Sequence, residues 1–193
     1  MQKDLFEELE EVVLSQDLDP EGPRIIGLYG DLDEERASEI TYSLMSLHAD
    51  GGKKKKPIEF IISTGGGDAY DMFSVYDIMR MVKRNCEIHC FGIGKVMSAG
   101  VLLLAAGTKG KRRVGKNCRV MIHNAKGSGL QGSVSEIEQG LAEVSWTQER
   151  YFACLAKETN LSVKKIRKII SKKTEVYLTA KEAVEYGIAD KIV

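Results

Sequence analysis

Apolar and polar positions follow two different spacings along most of the chain. Short apolar runs typical of strands lie near residues 24–29, 58–63, 86–92 and 118–122. Residues 33–49 and 69–84 instead repeat apolar side chains at the spacing of a helix that is buried on one face. Strands that alternate with helices are typical of an α/β core in which the strands are largely buried.

A long helix is predicted to begin after Ser133. Residues 133–136 read Ser-Val-Ser-Glu, which is a capping-box pattern, and helical spacing continues toward Glu158. A small domain cannot cover the whole surface of a helix of this length. The pattern therefore predicts that the uncovered part of the helix contacts another copy of the chain. Thr179-Ala-Lys-Glu182 predicts a second capping box before a short final helix.

The first 23 residues have a different pattern from the rest. Apolar residues recur at helical spacing from Leu5 to Val13 with acidic residues between them, and two prolines follow. This predicts a short amphipathic acidic helix, with a frayed solvated tail as the alternative. The remaining residues, 24–193, are predicted to form a single domain.

Composition agrees with a single domain that encloses a sizeable core, since 43% of the 193 residues are hydrophobic. The formal net charge is zero, so no overall field favours nucleic acid or a membrane surface. The lysine run at 53–56 has no interleaved aromatic residues and is interpreted as a solvated loop. No run has the character of a signal peptide or a membrane helix, which predicts a cytoplasmic protein.

The four cysteines are interpreted as reduced core thiols. They lack paired C-x-x-C spacing, so the sequence predicts neither disulfides nor a metal site, and no cofactor is expected. The residues concerned are Cys86, Cys90, Cys118 and Cys154.

A serine at a strand-to-helix junction is the first candidate for chemistry. Ser98 lies between the apolar run that begins at Ile88 and the helix-like run of residues 99–106. A hydroxyl at such a junction is held out of the sheet, where it can meet a substrate carbonyl. The N–H of Ala99 lies in the first helical turn, has no intrahelical acceptor and can donate to an oxyanion. An ordinary N-cap serine is the alternative.

Two further elements complete a nucleophilic site. His123 ends the apolar run of residues 119–123 and can act as a general base, although a buried structural histidine fits the same pattern. The three glycines at 65–67 end another apolar run and can bring a second N–H donor close to a ligand. An ordinary strand-to-helix turn is the alternative for this loop.

Several well-known signatures do not fit the chain. There is no G-x-x-x-x-G-K-[ST] motif, and the glycines at 65–67 do not space as G-x-G-x-x-G, which excludes the usual phosphate loops. Val96 occupies the first glycine position of the hydrolase motif G-x-S-x-G. Ser98 therefore belongs to a serine motif of another class.

The motifs resemble, in order and spacing, the proteolytic subunit family of Clp protease, the ClpP family. The resemblance runs from about Arg24 to the C-terminus, with Thr64 where the family usually has proline. The matching segments are the opening strand and turn (25–33), the glycine loop (62–67), the nucleophile segment (96–100), the Met-Ile-His-Asn segment (121–124), the start of the long helix (131–138) and the C-terminal motif (178–190).

The resemblance implies a role for each candidate residue. Ser98 is the nucleophile and His123 its general base. The oxyanion donors are the N–H groups of Gly66 and Ala99. The residues expected to border bound peptide are Gly65, Gly67 and Asp68.

The third member of the implied triad departs from the family. The family has an aspartate where this chain has Glu175, in the loop that begins at Lys172. A glutamate serves this role in some hydrolases of other folds. A solvated surface role for Glu175 is the alternative, and Asp190 is the nearest other carboxylate, at a family position outside the triad.

The resemblance also implies an architecture and partners. It implies a ClpP/crotonase-type ββα superhelix core with a protruding handle helix at about 124–159. It further implies two stacked heptameric rings around a chamber that degrades unfolded polypeptides, fed by an AAA+ unfoldase. The N-terminal segment differs in composition from the family's axial region, which usually meets the unfoldase, so the sequence leaves open whether an unfoldase docks here. The alternatives are a catalytically inactive ring subunit and a crotonase-type acyl-CoA enzyme.

Overall fold

The computed structural model describes residues 24–49, 56–127, 130–171 and 175–193. The predicted N-terminal helix and most of the lysine run lie outside these residues. The described strands are β1 (Ile25–Tyr29), β2 (Ile58–Thr64), β3 (Ile88–Met97), β4 (Arg113–Val114), β5 (Arg119–His123), β6 (Glu175–Leu178) and β7 (Lys191–Ile192). The described helices are α1 (Glu34–Ala49), α2 (Ala69–Val82), α3 (Ala99–Ala105), α4 (Val134–Glu158), α5 (Val163–Ile170) and α6 (Ala180–Glu185).

The strands form one mixed sheet, which confirms the predicted α/β class. Strands β1, β2, β3, β4 and β7 are neighbours in that order and run parallel. β5 adds to β3 in parallel, and β6 adds to β5 in the antiparallel direction. The crossovers through α1 and α2 are the connections that parallel neighbours require.

β3 pairs with two different strands along its length. Its middle pairs with β4, and its last three residues, Lys95–Met97, pair with β5. The register against β2 shifts after Ile62, and Gly94, with φ of +60°, lies within this irregular stretch. A bulge of this kind bends a strand and re-aims the residues after it. Ser98 therefore comes directly after a strand that lies beside the strand ending in His123.

β6 corrects one expectation from the sequence. The sequence pattern places Glu175 in a loop, whereas it is the first residue of β6. The register of the antiparallel pair places Glu175 directly opposite His123. Opposed residues in such a pair have their side chains on the same face of the sheet.

α4 is the predicted long helix, with 25 residues and the predicted capping box between Ser133 and Glu136. Its buried side chains begin at Thr147, so its second half packs on the core. The first half leaves large apolar side chains exposed, among them Val134 at 74% and Leu141 at 52%. Whether this helix serves as a handle between rings stays a prediction.

A buried charge cluster holds the C-terminal end of α4. The Glu158 side chain accepts hydrogen bonds from the Tyr76 hydroxyl (2.9 Å) and from Arg80 (2.8 Å). Its main-chain carbonyl accepts from Arg112 at 2.9 Å, and Arg112 also donates to both oxygens of Asp190. Asp190, the other carboxylate considered for the triad, is therefore committed to Arg112.

Cys86, Cys90 and Cys118 are buried, as predicted for core thiols, whereas Cys154 is only partly buried, which corrects its assignment to the core. Burial raises the pKa of Cys90 to about 12 and that of Cys118 to about 11, so both remain protonated thiols at neutral pH. Within the described ranges, no helix combines the length and apolar character needed to span a bilayer.

Candidate active site

A cavity of about 870 Å³ opens where the glycine loop, the start of α3, the end of β5 and α4 meet. Its lining includes seven of the eight candidate residues: Gly65, Gly67, Asp68, Ser98, Ala99, His123 and Glu175. The eighth candidate, Gly66, is not among the described residues that line it. Apolar side chains, including Leu130 and Val144, line the side formed by α4 and the segment before it.

The backbone of Ser98 is strained. Its φ is 53° and its ψ is −116°, and it is the only non-glycine residue in the described part of the chain with a positive φ. Such a conformation is costly and persists only where the surroundings hold it, which is common at functional sites. The Ser98 side chain makes no capping hydrogen bond among the described residues, so the ordinary N-cap alternative is not realised.

Three neighbours hold Ser98 in this conformation. Its N–H donates to the carbonyl of Met121 on β5 at 2.8 Å. Its own carbonyl accepts from the hydroxyl of Tyr151 on α4 at 3.1 Å. On the third side, a Cβ added to Gly66 would lie 2.7 Å from the Ser98 Cβ, so only glycine fits there without a shift. The junction is thus held by β5, α4 and the glycine loop together.

Thr64 bonds to the main chain of the glycine loop. Its hydroxyl accepts from the N–H of Gly66 at 3.0 Å and donates to the Gly66 carbonyl at 3.1 Å, and its side chain is fully buried. The N–H that the sequence assigns to the oxyanion hole is therefore engaged by Thr64 in this structure. The oxyanion role of Gly66 stays a prediction.

His123 and Glu175 lie opposite each other, but no hydrogen bond joins them. The carboxylate accepts from Lys126 Nζ at 3.2 Å through one oxygen and from the Tyr177 hydroxyl at 2.9 Å through the other. The Nδ1 atom of His123 is buried and has no hydrogen-bond partner among the described residues. Ser98, His123 and Glu175 thus line one cavity, but Glu175 is not hydrogen-bonded to His123.

Burial and charge set the proton affinities of this pair. Burial lowers the pKa of His123 from its ordinary value of 6.5, and the positive charge of Lys126 lowers it further, while Glu175 opposes the shift. The hydrogen bonds from Tyr177 and Lys126 hold the pKa of Glu175 below its usual range. At neutral pH, His123 is therefore a neutral base beside an ionised carboxylate.

Sequence reasoning missed Lys126, Tyr151 and Tyr177. The spacing of two between Glu175 and Tyr177 places both side chains on one face of a strand, and this signal could have found Tyr177 once β6 was recognised. Lys126 follows β5 in a segment without periodicity, and Tyr151 reads as an ordinary core residue of α4. Nothing in the local sequence marks either of them as part of a site.

The family model described as Clp protease matches residues 17–193, which is most of the chain. The match contains every candidate residue and begins ahead of the domain boundary predicted at residue 24. It gives no support to the acyl-CoA alternative.

Proposed function

This chain belongs to the Clp protease family, and on that premise we propose that it is a serine endopeptidase with Ser98 as nucleophile and His123 as general base. The observation that carries the proposal is the strained backbone of Ser98 at a cavity that His123 also lines. Acyl transfer needs a serine hydroxyl and a base at one site, and this requirement is supported by the position of Ser98 at the start of α3 and of His123 at the end of the neighbouring strand, both lining the same cavity.

The proposed reaction proceeds in two halves. Ser98 Oγ attacks the peptide carbonyl carbon while neutral His123 takes the hydroxyl proton, and the negative charge develops on the carbonyl oxygen. The N–H group of Ala99 stabilises that charge, and the N–H group of Gly66 adds to it only once it is released from the Thr64 hydroxyl. The intermediate collapses to an acyl-enzyme as His123 protonates the leaving amine. Water, activated by His123, then releases the acid and restores Ser98.

Glu175 is the proposed acid of the triad. Its carboxylate would accept from the Nδ1–H of His123, which fixes the tautomer with a free Nε2 and stabilises the imidazolium as it forms. Its position opposite His123 in the β5–β6 pair supports this role. In the structure it is bonded elsewhere, so this step needs a change of its side-chain conformation.

The proposed substrates are unfolded polypeptides that bind in extended form. A peptide would add as a strand beside Gly65, Gly67 and Asp68, so that main-chain pairing supplies affinity with little dependence on sequence. The apolar wall of the cavity, which includes Leu130 and Val144, would take one substrate side chain.

We further propose that residues 24–193 form one peptidase domain, preceded by an amphipathic segment, and assemble as two stacked heptameric rings in the cytoplasm. The exposed apolar side chains of α4 support self-association, since Val134, Leu141 and Trp146 are each more than half exposed in the single chain. An AAA+ unfoldase would deliver substrates to the chamber, as the family membership suggests.

The test is labelling with a fluorophosphonate, followed by intact mass. We expect one adduct per chain on the wild type, none on Ser98→Ala, and an unchanged adduct on Ser145→Ala, which removes an exposed serine of α4. A wild type that stays unlabelled even when assembled would contradict the proposal.

A catalytically inactive ring subunit is the second candidate. The observation that favours it is the missing hydrogen bond between Glu175 and His123, whose Nδ1 is buried without a partner among the described residues. This candidate predicts normal assembly without acylation, so size-exclusion chromatography beside the labelling experiment separates the two.

A further inference from the structure

Both oxygens of the Glu175 carboxylate are engaged by residues outside the proposed triad. Lys126 reaches Oε1 from the segment after β5, and the hydroxyl of Tyr177 reaches Oε2 from the same strand, β6. The two donors approach from different elements. Together they occupy both carboxylate oxygens, and no hydrogen bond joins the carboxylate to the imidazole that lies opposite in the sheet.

The cost of this arrangement falls on His123. A buried ring nitrogen without a hydrogen-bond partner is unfavourable. Nδ1 of His123 has no such partner within the described part of the chain, although the opposed residue, Glu175, carries a carboxylate. A conformation in which Glu175 accepts a hydrogen bond from Nδ1–H would satisfy this nitrogen.

We propose that Lys126 and Tyr177 are positioning residues that hold Glu175 away from His123, so that the structure represents a resting arrangement of the site. Catalysis requires the carboxylate to exchange the Lys126 ammonium and the Tyr177 hydroxyl for the Nδ1–H of His123. This inference rests on the proposed peptidase function and adds a regulatory step to the same site.

The exchange is physically inexpensive. The Lys126 side chain is 68% exposed and the Glu175 side chain is 34% exposed, so their ion pair is well solvated. Exposed ion pairs contribute little to stability and weaken as salt is added. The released ammonium and hydroxyl can turn to water, whereas the buried Nδ1–H gains the acceptor that it lacks.

The first experiment compares rates of fluorophosphonate labelling of Ser98. Lys126→Met removes the ammonium, and Tyr177→Phe removes only the hydroxyl. We expect each to speed labelling about two- to fivefold, the range that an exposed pair can account for. Lys116→Met, which removes an exposed lysine outside the cavity, should leave the rate unchanged. Added salt should speed the wild type and have less effect on Lys126→Met.

Repeating the substitutions in a Glu175→Gln background tests whether they act through the carboxylate. We expect both gains to disappear there, because an uncharged amide no longer serves as the triad acid. Slower or unchanged labelling of Lys126→Met and Tyr177→Phe in the wild-type background would overturn the inference and leave the proposed function standing.

A second readout does not depend on activity. Tyr177→Phe leaves the charge of the site unchanged, so a higher pKa of His123 by NMR titration reports a carboxylate that has moved toward the ring. We expect that rise in the wild-type background and not in Glu175→Gln. If no protein is labelled, the proposed function fails, and the titration still decides the inference: no rise in Tyr177→Phe overturns it.

Discussion

The hydroxyl of Tyr151 donates a hydrogen bond to the main-chain carbonyl of Ser98 across 3.1 Å. Tyr151 is buried in the second half of α4, whereas the exposed apolar side chains of that helix belong mostly to its first half. The hydrogen bond links α4 to the main chain of Ser98. A change in the position of α4 is therefore expected to alter the conformation of Ser98.

Tyr151→Phe tests this coupling. Loss of the hydroxyl should destabilise the fold by about 1 kcal/mol and slow labelling of Ser98, because the strained peptide loses one of its supports. Denaturant unfolding and the labelling rate measure the two effects. Tyr42→Phe, at an exposed tyrosine of α1, is the control. Equal labelling rates in Tyr151→Phe and the wild type would show that the bond does not position Ser98.

Gly66→Ala should abolish most activity. The new Cβ would lie 2.7 Å from the Cβ of Ser98, which forces this proposed nucleophile to move, and displacement of a reacting group by about 1 Å costs about 100-fold in rate. Gly110→Ala is a matched control, since Gly110 also has a positive φ but a Cβ there meets nothing within 4 Å. A Gly66→Ala enzyme as active as Gly110→Ala would refute the predicted contact.

Thr64→Val should destabilise the glycine loop. The substitution keeps the shape of the side chain but removes the hydroxyl that pairs with Gly66, at an expected cost of about 1–3 kcal/mol because the site is buried. Thr64→Ser keeps the hydroxyl and removes a methyl group. We expect Thr64→Ser to be the more stable of the two in thermal unfolding. The reverse order would mean that packing of the methyl group against α3 matters more than the hydrogen bonds.

Glu158→Gln should destabilise the fold more than the loss of an exposed ion pair does. It leaves Arg80 and Lys83 facing a neutral amide, and because the Arg80 side chain is 38% exposed, the cost should lie below the value of about 3 kcal/mol for a fully buried pair. Glu149→Gln breaks the exposed pair with Arg167 and should cost less than about 1 kcal/mol. Denaturant midpoints at one fixed protein concentration give the comparison. Equal midpoints would contradict the role assigned to burial.

The acid limit of activity should lie below pH 6.5. Burial and the charge of Lys126 lower the pKa of His123 from that value, so the base stays neutral, and active, at a lower pH than a free histidine would. The same shift means that the folded protein binds this proton less readily than the unfolded chain. His123 therefore lowers stability as pH falls through 6.5. The pH dependence of kcat/KM on a short peptide tests the first statement, and a limit above pH 6.5 would contradict it.

The sequence predicted the fold well where its local signals were strong. The alternating strands and helices and both capping boxes, at Ser133 and Thr179, appear as expected. Short or contact-dependent strands were not found: β4 and β7 have two residues each, and β6 exists because it pairs with β5. Their formation depends on distant neighbours, which local periodicity does not contain.

The sequence predicted which residues line the candidate site but not the hydrogen bonds that they form. Ser98 and His123 are identifiable by their places at the ends of apolar runs, and both line one cavity. The partners of Glu175 and of the Gly66 N–H were not predicted, because hydrogen bonds depend on side-chain conformations. Those conformations depend on packing among Lys126, Tyr177 and Thr64, which are far apart in sequence.

The positive φ of Ser98 determines which residue is most stable at position 98. Glycine adopts that conformation without strain, so Ser98→Gly should yield a more stable protein, by about 1 kcal/mol or more, that has lost its hydroxyl. The substitution that removes the proposed nucleophile is thus favoured by folding. A copy of the protein that does not need this hydroxyl would be more stable with glycine at position 98.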